Sequence, residues 1–320
     1  LAAMMQDRVG ANRAEILGFR ALGLFHIISD ALKMLTKEDY IPPFVDKFLF
    51  WLAPILAGVA ATIGFTVIPF GPVLSAFGGE IPLVLMRSDI GVLWLFGALG
   101  LTIYGSFLAG IASNNKYGLL GGLRAAAQMG AYEVAIGLSL VGVFMVYGTL
   151  DLSRIAEAQR GWNAVVPWVP NWGVFVQPLG FVLFLVAAVA ETKRAPFDVP
   201  EGESEIIGYF IEYSGMKFGL FFMAELVETI MFSATIALLF FGGWNLPGLD
   251  YAALSWIPAL AISQAVFWGK VAVGCWFLLL VRWTLPRFRY DQLLDLGWRY
   301  LLPGALLNIL ITGGVLLLYE

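Results

Sequence analysis

The chain has one cysteine, Cys275, and one histidine, His26, in 320 residues. That scarcity excludes an iron–sulfur cluster held by four cysteines, a bis-histidine haem and a structural zinc site built from this chain alone. Charge is scarce too. Only 13% of residues are charged, whereas 60% are hydrophobic; a soluble domain carries roughly 25% charged residues. The main solvent for this chain is therefore a bilayer. No G-x-G-x-x-G follows a strand-like segment and no G-x-x-x-x-G-K-[ST] occurs, so nucleotide binding has no support. Any redox carriers belong to partners or are mobile. The first residue is Leu1, with no signal-peptide pattern after it. We expect the natural protein to begin earlier.

What is present is long apolar runs. Seven stretches are suited to crossing a bilayer: 48–70, 90–111, 129–147, 173–191, 218–241, 257–281 and 301–318. None alternates with period two, which argues against a β-barrel. No linker, low-complexity run or internal repeat divides the chain. The expected fold is all-α, a polytopic transmembrane helical bundle forming a single membrane domain over 1–320.

Basic residues fix the expected orientation. Fifteen Lys and Arg fall on one side, in the segment before the first span and in the loops around Lys116, Lys193 and Arg282; three, Arg87, Arg154 and Arg160, fall on the other. Positive charge marks the cytoplasmic side, and the outer loop 242–256 has none. Ahead of the first span, residues 14–37 form an expected interfacial amphipathic helix, with Glu15, His26, Ser29, Asp30, Lys33 and Lys37 on one arc. His26 reads as a surface residue of that polar face. Arg20 falls on the apolar side. It either snorkels to headgroups or lines a polar cavity or entrance.

Ionisable residues also fall within spans: Glu133, Glu191, Glu225, Glu228 and Lys270. Each costs about 2.5–3.5 kcal/mol at bilayer depth on insertion scales. They either face a hydrated interior and exchange protons, or form ion pairs such as Lys270 with a glutamate. The richest stretch, 191–217, opens with Lys193 and Arg194. Asp198, Glu201, Glu203, Glu205 and Glu212 follow with no basic residue before Lys217. Crowding raises carboxylate pKa values, so such a loop can take up and release protons; the alternative is a solvated acidic loop. Phe197, Tyr209, Phe210 and Tyr213 suggest packing around a ligand or partner. The last basic loop interleaves Arg282, Arg287, Arg289 and Arg299 with aromatics, which suits phospholipid heads, a quinone headgroup or an acidic partner.

Several motifs in fixed order resemble the family of NADH–quinone oxidoreductase H subunits, the quinone-tunnel membrane subunits of respiratory complex I. They are Q-D-R-V-G-A-N-R at Gln6–Arg13, S-D-A-L-K-M-L-T-K-E-D at Ser29–Asp39, S-N-N-K-Y-G-L-L-G-G-L-R at Ser113–Arg124, R-A-P-F-D-V-P-E-G-E-S-E from Arg194, I-E-Y-S-G-M-K-F from Ile211 and L-P-R-F-R-Y-D-Q-L-L-D-L-G-W from Leu285. The likeness covers nearly the whole chain. It departs from the family at Ala11, where proline is usual, and in 205–212, which is one residue shorter than the commonest form.

The resemblance implies eight spans, the first ending just before Leu1. It implies a proton-pumping NADH–quinone oxidoreductase, in which this chain is one wall of a quinone tunnel and is not catalytic alone. Quinone-binding residues would be Arg8, Arg20, Arg194, Phe197, Asp198, Glu201, Arg282 and Arg287. The proton route would use Glu133, Glu191, Glu203, Glu205, Glu212, Glu225 and Glu228. The chain itself would bind no cofactor; quinone is substrate, and flavin and iron–sulfur clusters sit in partner subunits. Partners would be the peripheral iron–sulfur and quinone-site subunits, antiporter-like membrane subunits and phospholipids, with no nucleic acid. The location would be a bacterial inner membrane with the basic loops cytoplasmic. Rival readings are the equivalent subunit of an energy-converting hydrogenase, a stand-alone cation/proton antiporter, and a passive membrane anchor.

Overall fold

A computed structural model describes residues 2–15, 18–19, 23–76, 79–162, 168–202, 205–251 and 254–319. Among them, helices dominate. A short turn, α1 (Ala2–Met5), precedes α2 (Phe25–Thr36) and α3 (Lys47–Ile63), which tightens into a 3₁₀ turn at Gly64–Val67. A hairpin follows, β1 (Leu74–Ala76) against β2 (Gly79–Ile81), antiparallel with Ser75 opposite Glu80. Then come α4 (Gly91–Ala112), α5 (Lys116–Tyr147), α6 (Leu152–Ala158), α7 (Gly173–Val176), α8 (Pro178–Glu191), α9 (Gly215–Phe240) and α10 (Trp256–Thr284). The chain closes with α11 (Tyr290–Asp295), a π-helical turn Leu296–Leu301 and α12 (Leu302–Tyr319).

Among the described residues, six helical segments are long and apolar enough to cross a membrane: Lys47–Val67, Gly91–Ala112, Lys116–Tyr147, Gly215–Phe240, Trp256–Thr284 and Tyr290–Leu318. At 1.5 Å per residue, the 22 residues of α4 reach about 33 Å, enough to cross a hydrocarbon core of about 30 Å. The remaining expected span, 173–191, is broken. Pro178 has no N–H to donate to a preceding carbonyl, so it starts a new helix and leaves α8 with 14 residues.

Local chemistry sets the boundaries. Asp46 caps α3 by accepting from the Phe48 and Leu49 amides, and Asn115 caps α5 through the Tyr117 amide. Before α2 the helix does not extend back to residue 14. Gly23 lies at φ +89°, and a Cβ there would meet the Ala11 carbonyl oxygen at 2.2 Å, so the chain turns instead of coiling. The amphipathic helix is thus Phe25–Thr36. It buries none of its residues within this chain, and Ile27, Ile28, Leu32 and Leu35 stay exposed, as suits a helix lying in an interface.

The bundle packs as α3 on α4, α4 on α5, and α5 on both α8 and α12; α9 lies against α3 and α10. Of the long helices, α9 is the most buried and α10 the least. One apolar core joins Tyr132, Phe184, Phe232 and Phe267; a second joins Phe50, Tyr209, Tyr213 and Phe221 at the basic end. Tyr209, Phe210 and Tyr213 of the acidic loop belong to this second core, and Phe197 joins the first. Tyr213 stacks on Phe50 with centroids 4.0 Å apart, and Tyr209 meets Phe221 edge-on. They fill the protein's own interior.

Candidate functional site: a buried charge cluster between the acidic loop and the spans

The loop between α8 and α9 does not stand in solvent. It folds back over the end of the bundle. Gly121 of α5 leaves room for it: a Cβ there would come within 2.8 Å of the Tyr209 amide nitrogen. Gln128 of α5 holds the loop from below, donating to the Ala190 carbonyl at 2.7 Å and the Phe197 carbonyl at 2.9 Å. Phe197 is wedged between Tyr132 and Phe288, and the Phe288 amide donates to the Pro196 carbonyl.

This seating turns two cations inward. Lys193 and Arg194 are 4% and 8% exposed. The Lys193 ammonium lies 5.6 Å from the centroid of the Tyr209 ring. Around it are Glu191 at the end of α8, Glu201 in the loop, and Glu225 and Glu228, one turn apart on α9. The Tyr209 hydroxyl donates to Glu225 at 3.4 Å. The carboxyl groups of Glu201 and Glu225 are within hydrogen-bonding reach of each other. Glu228 has both oxygens buried without a hydrogen-bond partner of normal geometry, and one oxygen each of Glu191 and Glu201 is in the same state. Glu133 completes the line on α5, packed against Gly100 of α4 and within electrostatic range of Glu191.

Three buried acids, Glu191, Glu225 and Glu228, and the half-buried Glu201 face two cations, so full ionisation would leave uncompensated negative charge in a poorly solvated place. At an effective dielectric of about 20, two charges 4 Å apart interact by about 4 kcal/mol, so the position of each cation matters. At Glu201 the result is explicit: burial first, then the Glu225 carboxylate, hold it well above the ordinary carboxylate range, against Lys193. Burial pulls Lys193 down, but Glu228, Glu225, Glu201 and Glu191 outweigh it and the ammonium is favoured. Asp198 is raised by burial, with Arg287 opposing at 2.9 Å. Crowding alone therefore understates the loop; burial is the larger cause.

The sequence-derived candidates divide. Arg194, Phe197, Asp198 and Glu201 gather with Glu191, Glu225 and Glu228. Arg287 reaches Asp198, and Arg282, exposed at the end of α10, is within electrostatic range of Arg194 and Asp198. Glu205 and Glu212 stand apart at the rim: Glu205 pairs with Arg124 at 2.7 Å, and Glu212 accepts from Asn115 at 2.8 Å. Arg8 is exposed and donates to its neighbour Gln6. Arg20 and Glu203 lie outside the described residues. Lys270 is not part of the cluster. Its ammonium donates to the carbonyls of Phe241, Gly243 and Asn245 at 2.7–2.8 Å, closing the far end of α9, where the helix dipole favours a cation. An ion pair with a span glutamate was the simpler expectation for it. The orphan carbonyls of a helix end compete for an ammonium just as well.

Two residues outside the candidate set matter here. Gln128 anchors the loop, and Lys217, 2% exposed, bonds Asp39 at 2.8 Å with its ammonium 3.8 Å from the Trp51 ring centroid. The latter ties the segment after α2 to the start of α9. Nothing in their spacing announces these partners, which lie 62 and more residues away.

A multi-pass helical membrane protein whose acidic loop shares one buried charge cluster with its spans is the class defined by these features. The family described as NADH dehydrogenase matches residues 1–313. A relative in Flavobacterium johnsoniae, named as the H subunit of NADH-quinone oxidoreductase, is 43% identical over 323 aligned positions, covering 100% of this chain and 89% of its own length. One of the same name in Thermomicrobium roseum is 46% identical, covering 97% of this chain and 87% of its own length. A third, in Geobacter metallireducens, is 43% identical over 99% of this chain and 89% of its own. The chain belongs to the family of NADH-quinone oxidoreductase H subunits.

Proposed function

We propose that this chain is the membrane subunit of a proton-pumping NADH-quinone oxidoreductase that forms one wall of the quinone site and passes a change of protonation from that site into the spans. It is a subunit of the enzyme complex and not a catalyst by itself. Family membership supports the assignment to the complex. The quinone and proton roles rest on the contact of Glu201 and Tyr209, in the loop, with Glu225, in a span.

Reduction of the quinone to the quinol takes two electrons, which a partner subunit's iron–sulfur cluster would supply, and two protons. An unprotonated reduced headgroup is costly away from water, so it draws protons from the groups beside it. Asp198 and Glu201 carry raised proton affinity. Arg194, Arg282, Arg287 and Phe197 shape the polar side of the site, and Arg8 and Arg20 also serve quinone binding. Loss of a proton from Glu201 alters its pairing with Glu225 and Lys193. Glu228, Glu191 and Glu133 extend the change across the bundle towards antiporter-like partner subunits; Glu203, Glu205 and Glu212 belong to the same proton route. Flavin and iron–sulfur clusters reside in peripheral partners docked on the basic loops. Those loops face the cytoplasm of a bacterial inner membrane.

Purification of the tagged chain in mild detergent tests the assignment. Flavin and iron–sulfur absorbance co-purifying with quinone-reductase activity is expected. A chain that purifies alone and exchanges cations for protons in vesicles would contradict it.

A further inference from the structure

Gln128 is fully buried on α5 and spends both hydrogens of its side-chain amide on backbone carbonyls of a distant segment. One is the Ala190 carbonyl in the last turn of α8, at 2.7 Å; the other is the Phe197 carbonyl in the loop, at 2.9 Å. A fully extended run of seven residues would span about 23 Å. Here both ends meet on one nitrogen, so the intervening turn is closed like a ring. Within it lie Glu191, Lys193 and Arg194. Lys193 takes a positive φ of 53°, uncommon for a residue with a side chain, and its ammonium points back among the carboxylates. The amide oxygen of Gln128 is buried with no partner. A side chain present only to fill space would not carry such an acceptor.

We propose that Gln128 is a positioning residue of the charge cluster: its amide clamps the 190–197 turn so that Lys193 stays among Glu191, Glu201, Glu225 and Glu228. The inference rests on the reading that this cluster couples quinone chemistry to proton movement, and it adds the element that fixes the counter-charge. The groups facing Lys193 are Glu191 from α8, Glu201 and Tyr209 from the loop, and Glu225 and Glu228 from α9. Arg194 follows it in the turn, and Glu133 on α5 faces Glu191. Release of the clamp frees Lys193 to leave, and its lowering effect on Glu201 goes with it. The loop carboxylate then holds its proton to higher pH.

The test uses the intact complex in its membranes, with rates normalised to NADH oxidation by a water-soluble acceptor. Gln128→Met keeps the length and removes both donors. Gln128→Glu keeps the shape and offers one donor only when protonated. Gln128→Asn keeps the amide but is one methylene short of reaching both carbonyls. Quinone reduction should fall more than tenfold in Gln128→Met, with its pH profile moved to higher pH. Gln128→Glu should recover as pH is lowered. A merely structural role would reduce the amount of complex while leaving the rate per complex and the pH profile native; that result overturns the proposal. If Gln128→Met does not accumulate, a native rate and profile in Gln128→Glu or Gln128→Asn overturns it equally. Glu201→Gln, measured alongside, separates the two levels. If it too leaves quinone reduction normal, the reading of the cluster fails; if it lowers quinone reduction while the Gln128 variants do not, only the clamp fails.

Discussion

The phenolic hydroxyl of Tyr209 donates to the Glu225 carboxylate across 3.4 Å, with the Lys193 ammonium 5.6 Å from the same ring. One side chain thus touches the acidic loop, its cation and the most buried span. Burial, followed by Glu225, holds the Tyr209 hydroxyl well above its ordinary value, so it remains a donor at all working pH values.

Tyr209→Phe keeps the ring between Phe210 and Phe221 and deletes only the donor. Loss of a hydrogen bond to a buried carboxylate is worth about 1–2 kcal/mol, so proton pumping per quinone reduced should drop severalfold in assembled complexes. Proton-to-electron ratios in sealed vesicles measure this. An unchanged ratio would place Tyr209 outside the coupling path.

The raised affinity of Glu201 makes stability depend on pH with a definite sign. The folded loop keeps a proton that the unfolded chain releases from about 4.5 upward. Stability therefore falls as pH rises from that ordinary value through the raised folded value. Asp198 acts in the same direction from about 3.8. Glu201→Gln cannot ionise, so its thermal-inactivation midpoint should decline less than the native one as pH rises above about 4.5. Parallel declines would contradict the buried assignment of Glu201.

Lys270 separates two ideas about charge in a span. Three carbonyls occupy its ammonium. Lys270→Met leaves them unsatisfied at a cost of about 2–4 kcal/mol, so heat stability should fall while pumping per surviving complex stays native. Loss of pumping in intact, fully assembled complex would return Lys270 to the proton route.

The bundle was legible because bilayer burial is costly for every polar group, so long apolar runs, and the stray carboxylates among them, stand out in a sequence. Burial of the loop was not legible. It depends on the absent Cβ of Gly121, on Gln128 reaching two carbonyls, and on Phe197 inserting between Tyr132 and Phe288. The same composition without those contacts would be a solvated acidic loop. Lys270 was misleading for a related reason: hydropathy places a cation in a span but does not say whether a carboxylate or a helix end receives it. The break at Pro178 was visible as a proline but not as the end of a helix.

Orientation has a separate check. Cysteines replacing Lys116 and Ala158, at opposite ends of α5 and its following loop, should be labelled by an impermeant thiol reagent only from the cytoplasmic and only from the outer side, respectively. Reversed labelling would invert the site relative to its electron-donating partners.

The most direct measurement is quinone reduction by assembled complexes carrying Glu201→Gln or Asp198→Asn, with NADH oxidation by a water-soluble acceptor counting the complexes. If these loop carboxyl groups serve the quinone, removing the proton-responsive group costs more than about 1.4 kcal/mol at the transition state, and both quinone reduction and pumping fall more than tenfold. Fully assembled complexes of both variants reducing quinone at the native rate would contradict the account.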